Sequence, residues 1–111
     1  MQTWDVKELD IKPHFPEVLH SDDEGRTIVI NLPAGEQLQE HQVHERAWIV
    51  IVEGEVEVRG LDGRTVTAGP GWLSLAEPNE RHELYALSDT RILLLLAPWP
   101  GDGHPSQGCL E

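Results

Sequence analysis

Five short runs rich in aliphatic and β-branched residues set what this chain can fold into: "RTIVINL" at 26–32, "AWIVIVEGEVEVRG" at 47–60, "TVTAGPGWLSLAEP" at 65–78, "RHELYALS" at 81–88 and "TRILLLLAP" at 90–98. Each is strand-length or divisible into strand lengths, and Gly, Pro, Asn or Asp bounds it. No helical periodicity persists through the central region, so the pattern predicts an all-β chain. From Glu53 to Arg59 polar and apolar residues alternate, the mark of a half-buried strand with one face in water. "GLDGR" at 60–64 offers Asp-Gly, a hairpin signal, while "GPG" at 69–71 and "EPNE" at 77–80 punctuate the next run. Closely spaced strands joined by tight turns predict a sandwich or closed barrel, which also hides its sheet edges.

A chain of 111 residues carries one core, and we expect a single domain. Residues 1–25 read as an N-terminal strand and arm, since Pro13 and Pro16 oppose a long helix there. Residues 26–98 hold the barrel, and 99–111, rich in Pro and Gly, read as an irregular C-terminal tail. With 20 acidic against 8 basic side chains, the formal charge of −12 repels phosphate backbones and anionic lipid, so neither nucleic acid nor a membrane is an expected partner. The longest apolar run, Ile92 to Ala97, is too short to span a bilayer. Acidic and basic residues precede any apolar stretch at the N-terminus, unlike a secretory signal, and the expected location is the cytoplasm. Cys109 has no mate, which excludes an intrachain disulfide and a cysteine zinc cage.

The order of glycines and histidines resembles the cupin superfamily, small barrels of jelly-roll type. Its first motif runs Gly, five residues, His, one residue, His, three or four residues, Glu, six residues, Gly. Here Gly35 is followed after five residues by His41, and Gly54 stands at the closing glycine. The second motif runs Gly, five residues, Pro, one residue, Gly, two residues, His. In "GWLSLAEPNERH" Gly71 opens it, Asn79 replaces the inner glycine and His82 closes it. The resemblance covers roughly residues 26–98 and implies a cupin-type jelly-roll β-barrel, or double-stranded β-helix. It departs from the family at two of the four usual ligand positions, where Val43 and Ala47 stand in place of His and Glu.

Strand alternation offers two donor sets. If His41 points into the barrel, so do Val43, Glu45, Ala47, Ile49 and Ile51, and the inward polar set is His41, Glu45 and His82. One irregular residue in "HQVHERA", such as a bulge, would instead bring in His44 and give His41, His44 and His82. Either set suits one divalent metal, iron, manganese, zinc or nickel. The bland alternative is a metal-free polar pocket in which His41 and His82 bond each other, a water or a ligand. His14, His20 and His104 lie in Pro- or Asp-rich segments where a solvated imidazole needs no further role. Trp48 falls opposite His41 by parity, on the outer face, where a large apolar side chain suggests contact between copies.

From the first-motif strand, Val43, Ala47, Ile49 and Ile51 are expected to line the pocket, with Leu38 beneath them. From the second motif Leu73, Leu75 and Leu84 join them. Such a lining suits a small organic ligand better than a sugar phosphate. The expected function is small-molecule binding in a homodimeric barrel. A metal-dependent dioxygenase or isomerase, and a non-catalytic sensor or interaction module, are the rivals.

Overall fold

A computed structural model describes residues 1–13, 16–39, 46–60, 63–77 and 82–97. Among them are nine strands: β1 (Glu17–Asp22), β2 (Gly25–Leu32), β3 (Gln37–Gln39), β4 (Arg46–Glu53), β5 (Val56–Gly60), β6 (Thr65–Ala68), β7 (Leu73–Ala76), β8 (His82–Ala86) and β9 (Thr90–Ala97). They form two antiparallel sheets, one ordered β1-β2-β9-β4-β7 and the other β3-β8-β5-β6. Successive strands from β2 onward mostly change sheet, which is the jelly-roll path. No helix among the described residues is long and apolar enough to cross a membrane.

The run at 47–60, one stretch in the sequence, divides at Gly54. There φ is +88°, a left-handed conformation that glycine enters without penalty, and the chain leaves β4 in one sheet for β5 in the other. The run at 65–78 divides in the same way around Pro70 into β6 and β7. The core lies between the sheets, where Ile49 and Ile51 of β4 meet Val56, Leu84, Ala86 and Ile92.

The two ends of the sandwich differ. At the Gly54 end four connections, 33–36, 54–55, 69–72 and 87–89, are held by hydrogen bonds. The Glu55 amide donates to Ser88 Oγ (2.9 Å), the Leu87 amide to the Glu55 carbonyl (2.8 Å), and the Ala34 amide to Asp89 Oδ1 (2.9 Å). At the opposite, His82 end the chain crosses between sheets from Gln39 to Arg46 and again from Ala76 to His82.

The N-terminal arm lies across the outer face of the five-stranded sheet. Arg91 donates from Nη1 to the carbonyls of Val6 (2.7 Å) and Lys7 (3.0 Å) and from Nε to Asn31 Oδ1 (2.8 Å), while Asn31 Nδ2 donates to the Ile11 carbonyl (2.7 Å). Val29, on that outer face, is fully buried. Because one guanidinium ties three partners, Arg91→Gln is expected to cost about 1–3 kcal/mol. Urea denaturation would read the loss, and limited proteolysis would show faster cleavage within residues 1–13.

Candidate functional site

Pairing within the four-stranded sheet joins β3, which leads into the first motif's histidines in the chain, to β8, which opens at His82. β3 and β8 run antiparallel with Gln37 opposite Tyr85, Leu38 opposite Leu84 and Gln39 opposite Glu83, and on the other side Gly60 of β5 stands opposite His82. The register thus sets Gln39, the last described residue before the first motif's histidines, opposite Glu83, the residue after His82. His41 follows Gln39 by two residues, and His82 is the neighbour of the residue that Gln39 pairs with. His41, Val43, His44 and Glu45 themselves lie outside the described residues, and His82 is described by its backbone alone. Among the described residues no group of three His, Cys, Asp or Glu could hold a metal ion. His14, His104, Trp99 and Cys109 also lie outside the described residues.

On the five-stranded sheet the inner row facing the His82 end runs Ala76, Ala47, Leu96, Arg26 by register. Ala47, 1% exposed with Ala76 buried beside it, puts a methyl group where the first motif of the family carries a carboxylate. Across the core, Leu84 is buried with Leu38 and Val58 packed near it. Ile49 and Ile51 are wholly buried toward the middle of the sandwich. Among the described residues the inward side of this end is thus apolar, with Arg26 at the row's exposed outer end.

Two expected lining residues are elsewhere. Leu73 and Leu75 are 54% and 38% exposed on the outer face. The pairing fixes this: Ala47 stands opposite Ala76 and Ile49 opposite Ser74, so Ser74 and Ala76 take the inward parity of β7 and the leucines the outward one, beside Val50 and Trp48. Arg26 is the converse case, a cation whose register shares the inward parity of β2 but which lies exposed at the strand's end. The alternation of "RTIVINL" held the signal, but Ile28, Val29 and Ile30 are all buried and hide which parity is inward.

Charges gather at the rim. Arg46 Nε donates to Glu77 Oε1 at 3.1 Å on the outer side of the β3–β4 and β7–β8 crossings. In the β1–β2 turn, the hydrogen bond from the His20 ring (2.9 Å) and then that from the Glu24 amide (2.8 Å) hold the Asp22 carboxyl below its ordinary range. A separate surface cleft of about 350 Å³ opens at the Gly54 end between the arm and the sheet, bordered by Lys7, Asn31, Glu53, Asp89 and Arg91. It lies at the far end of the sandwich from His82. Its charges are mixed: Arg91 is bonded to the arm's backbone and to Asn31, and Asp89 accepts from the Ala34 amide.

Two antiparallel sheets wound as a jelly roll around an apolar core define a double-stranded β-helix barrel. The chain belongs to the cupin family, and residues 28–98 match the model described as Cupin domain. Among solved structures it is similar to an RmlC-like cupin protein from Desulfovibrio desulfuricans (22% identity, 87% of this chain and 96% of that one, TM-score 0.75). It is also similar to an uncharacterized conserved protein with a double-stranded beta-helix domain from Klebsiella pneumoniae (16% identity, 90% and 92%, TM-score 0.74). A third is KdgF from Halomonas sp. (18% identity, 82% and 89%, TM-score 0.71). At these identities the likeness is one of fold. No curated protein matches the sequence.

Proposed function

We propose that this cupin binds a small organic molecule inside the barrel at the His82 end, through a divalent metal held by His41, His82 and one of His44 or Glu45. The observation that carries the reading is the β3–β8 register, which sets position 82 beside the strand end from which His41 follows. The donor chemistry fits such an ion: two imidazoles with a third imidazole or a carboxylate form a set that holds iron(II), manganese, zinc or nickel and leaves positions open. A bound metal would act there as a Lewis acid toward an oxygen of the ligand. The apolar inner row of Ala76, Ala47 and Leu96 would cover the ligand's hydrocarbon part.

Ala47 favours a second reading, a metal-free binding shell, because it removes one of the family's usual donors. Dioxygenase or isomerase chemistry would require the metal. Elemental analysis of protein purified without chelator separates these readings. The expected result is about one equivalent of metal per chain, lost in His82→Ala and in His41→Ala with the far-ultraviolet spectrum unchanged. Metal-free wild-type protein that also takes up none on addition would overturn the proposal and leave the binding shell.

A further inference from the structure

The cleft at the Gly54 end is bordered by charged groups that the fold leaves unused. Arg91, half-buried, is held by three bonds, from Nε to Asn31 and from Nη1 to the carbonyls of Val6 and Lys7. Among the described residues its Nη2 has no partner. The Lys7 ammonium and the Glu53 carboxylate, which also border the cleft, likewise have none, and Asp89 uses only Oδ1, on the Ala34 amide. Glu53 comes to this place through an irregularity in the strand: β4 pairs with β9 as Ile51 with Ile92, and then Glu53, rather than Val52, stands opposite Arg91. A bulge of this kind re-aims a side chain, and such bulges gather beside functional sites. Although the two opposite charges share a register position, they form no ion pair. Pro13, Leu32 and Pro33 give the cleft its apolar wall.

We infer that this cleft binds a small zwitterion, of the class of an α-amino acid with an apolar side chain, and that the ligand bridges the arm and the barrel. Charge selects the class. Lys7 and Arg91 balance Glu53 and Asp89 on a chain whose net charge is −12. A simple anion would meet two carboxylates and an acidic surface around them, and a simple cation would meet a guanidinium and an ammonium. A ligand with both charges answers all four groups: its carboxylate takes Arg91 Nη2 and the Lys7 ammonium, and its ammonium takes Glu53 and Asp89 Oδ2. Size agrees, because about 350 Å³ lies near the lower end of the volumes that hold small organic ligands. Arg91 is already fixed by its bonds to the arm and Asn31, so little ordering is lost when the ligand arrives. Lys7 and Pro13 belong to the arm, whereas Glu53, Asp89 and Arg91 belong to the barrel. An occupant therefore fastens one to the other.

Titration of the full chain with L-leucine, L-valine and L-proline up to about 10 mM, followed by the amide resonances, tests this. At least one of the three is expected to shift the amides of Asn31, Glu53, Asp89 and Arg91. Isocaproate and isoamylamine, which are leucine without its amine and without its carboxylate, should bind about tenfold more weakly than leucine or worse. Lys7→Gln and Glu53→Gln should each weaken binding about fivefold while leaving the thermal melt of the free protein unchanged, since neither side chain bonds another group of the fold. Saturating ligand should also slow hydrogen exchange of the amides within residues 1–13, because it ties the arm down. No shift at the cleft with any of the three amino acids overturns the inference, as does equal binding of the two single-charge analogues. Binding that both variants retain in full overturns it too. Shifts confined to Ala47, Leu84 and the rest of the His82 end would put the ligand inside the barrel and overturn it likewise. His82→Ala leaves the expected binding unchanged, so failure of the proposed metal centre and failure of this site are told apart.

Discussion

Gly54→Ala is expected to destabilise the protein by about 3–4 kcal/mol and to lower its melting temperature by roughly 15 °C. Two costs add. At φ +88° an alanine pays about 1–2 kcal/mol for the left-handed conformation alone. The second cost is space: an added Cβ would meet the carbonyl oxygen of Asp89, and Thr90 Oγ1 at 2.6 Å and Thr90 Cα at 2.7 Å. Two of these three atoms are backbone and cannot rotate away. The 87–89 connection cannot yield cheaply either, since the Leu87 amide bonds the Glu55 carbonyl and Ser88 Oγ receives the Glu55 amide. Gly63→Ala separates the two costs, because Gly63 has a similar φ of +81° but nothing within 4 Å of the added methyl. It should lose about 1 kcal/mol, the conformational part alone. Equal losses for the two variants in parallel thermal melts would remove the packing argument and with it the role of Gly54 as the close approach that seals this end.

Gly54 also shows what the sequence carried. Motif spacing located it as a closing glycine, and alternation with turn residues located the strands, because both depend on local backbone chemistry. That the run at 47–60 feeds two different sheets depends on partners far away, and no local pattern reports it. The leucines of "LSLA" illustrate the same limit. Apolar residues usually mark the inward parity, and here they mark the outward one because Ser74 and Ala76 face Ile49 and Ala47 across the sheet. Arg26 was hidden for the opposite reason, since Ile28, Val29 and Ile30 are all buried and both parities of β2 carry core residues. Of the site, the pairing of β3 with β8 follows from the jelly-roll path, while His41, His44 and Glu45 lie outside the described residues. The third donor was not legible, because a slip of one residue between Gln39 and Arg46 exchanges inward for outward side chains and turns Glu45 into His44.

Ala47→Glu restores a carboxylate where the family's first motif has one, and its expected effect has opposite signs without and with metal. In metal-free protein the new side chain replaces a methyl that is 1% exposed beside Ala76 and Leu96. Burying a carboxylate there without a partner should cost about 3 kcal/mol or more at neutral pH. Burial pushes the folded-state pKa above the unfolded value of about 4.3, so the folded chain binds the proton more tightly than the unfolded one. The loss is therefore small below the unfolded pKa and grows as pH rises toward the folded one, the reverse of a paired carboxylate. A divalent ion held by His41 and His82 would supply the missing countercharge and add a ligand bond. Zinc or manganese at a fixed concentration should accordingly raise the melting temperature of Ala47→Glu by more than it raises that of the wild type. The increment must also vanish when His82→Ala is added, since a carboxylate alone at that position holds the ion poorly. If the increment survives the loss of His82, the metal is binding elsewhere; if it is no larger than in wild type, Ala47 does not face the position that His41 and His82 share, and the proposed centre fails on geometry.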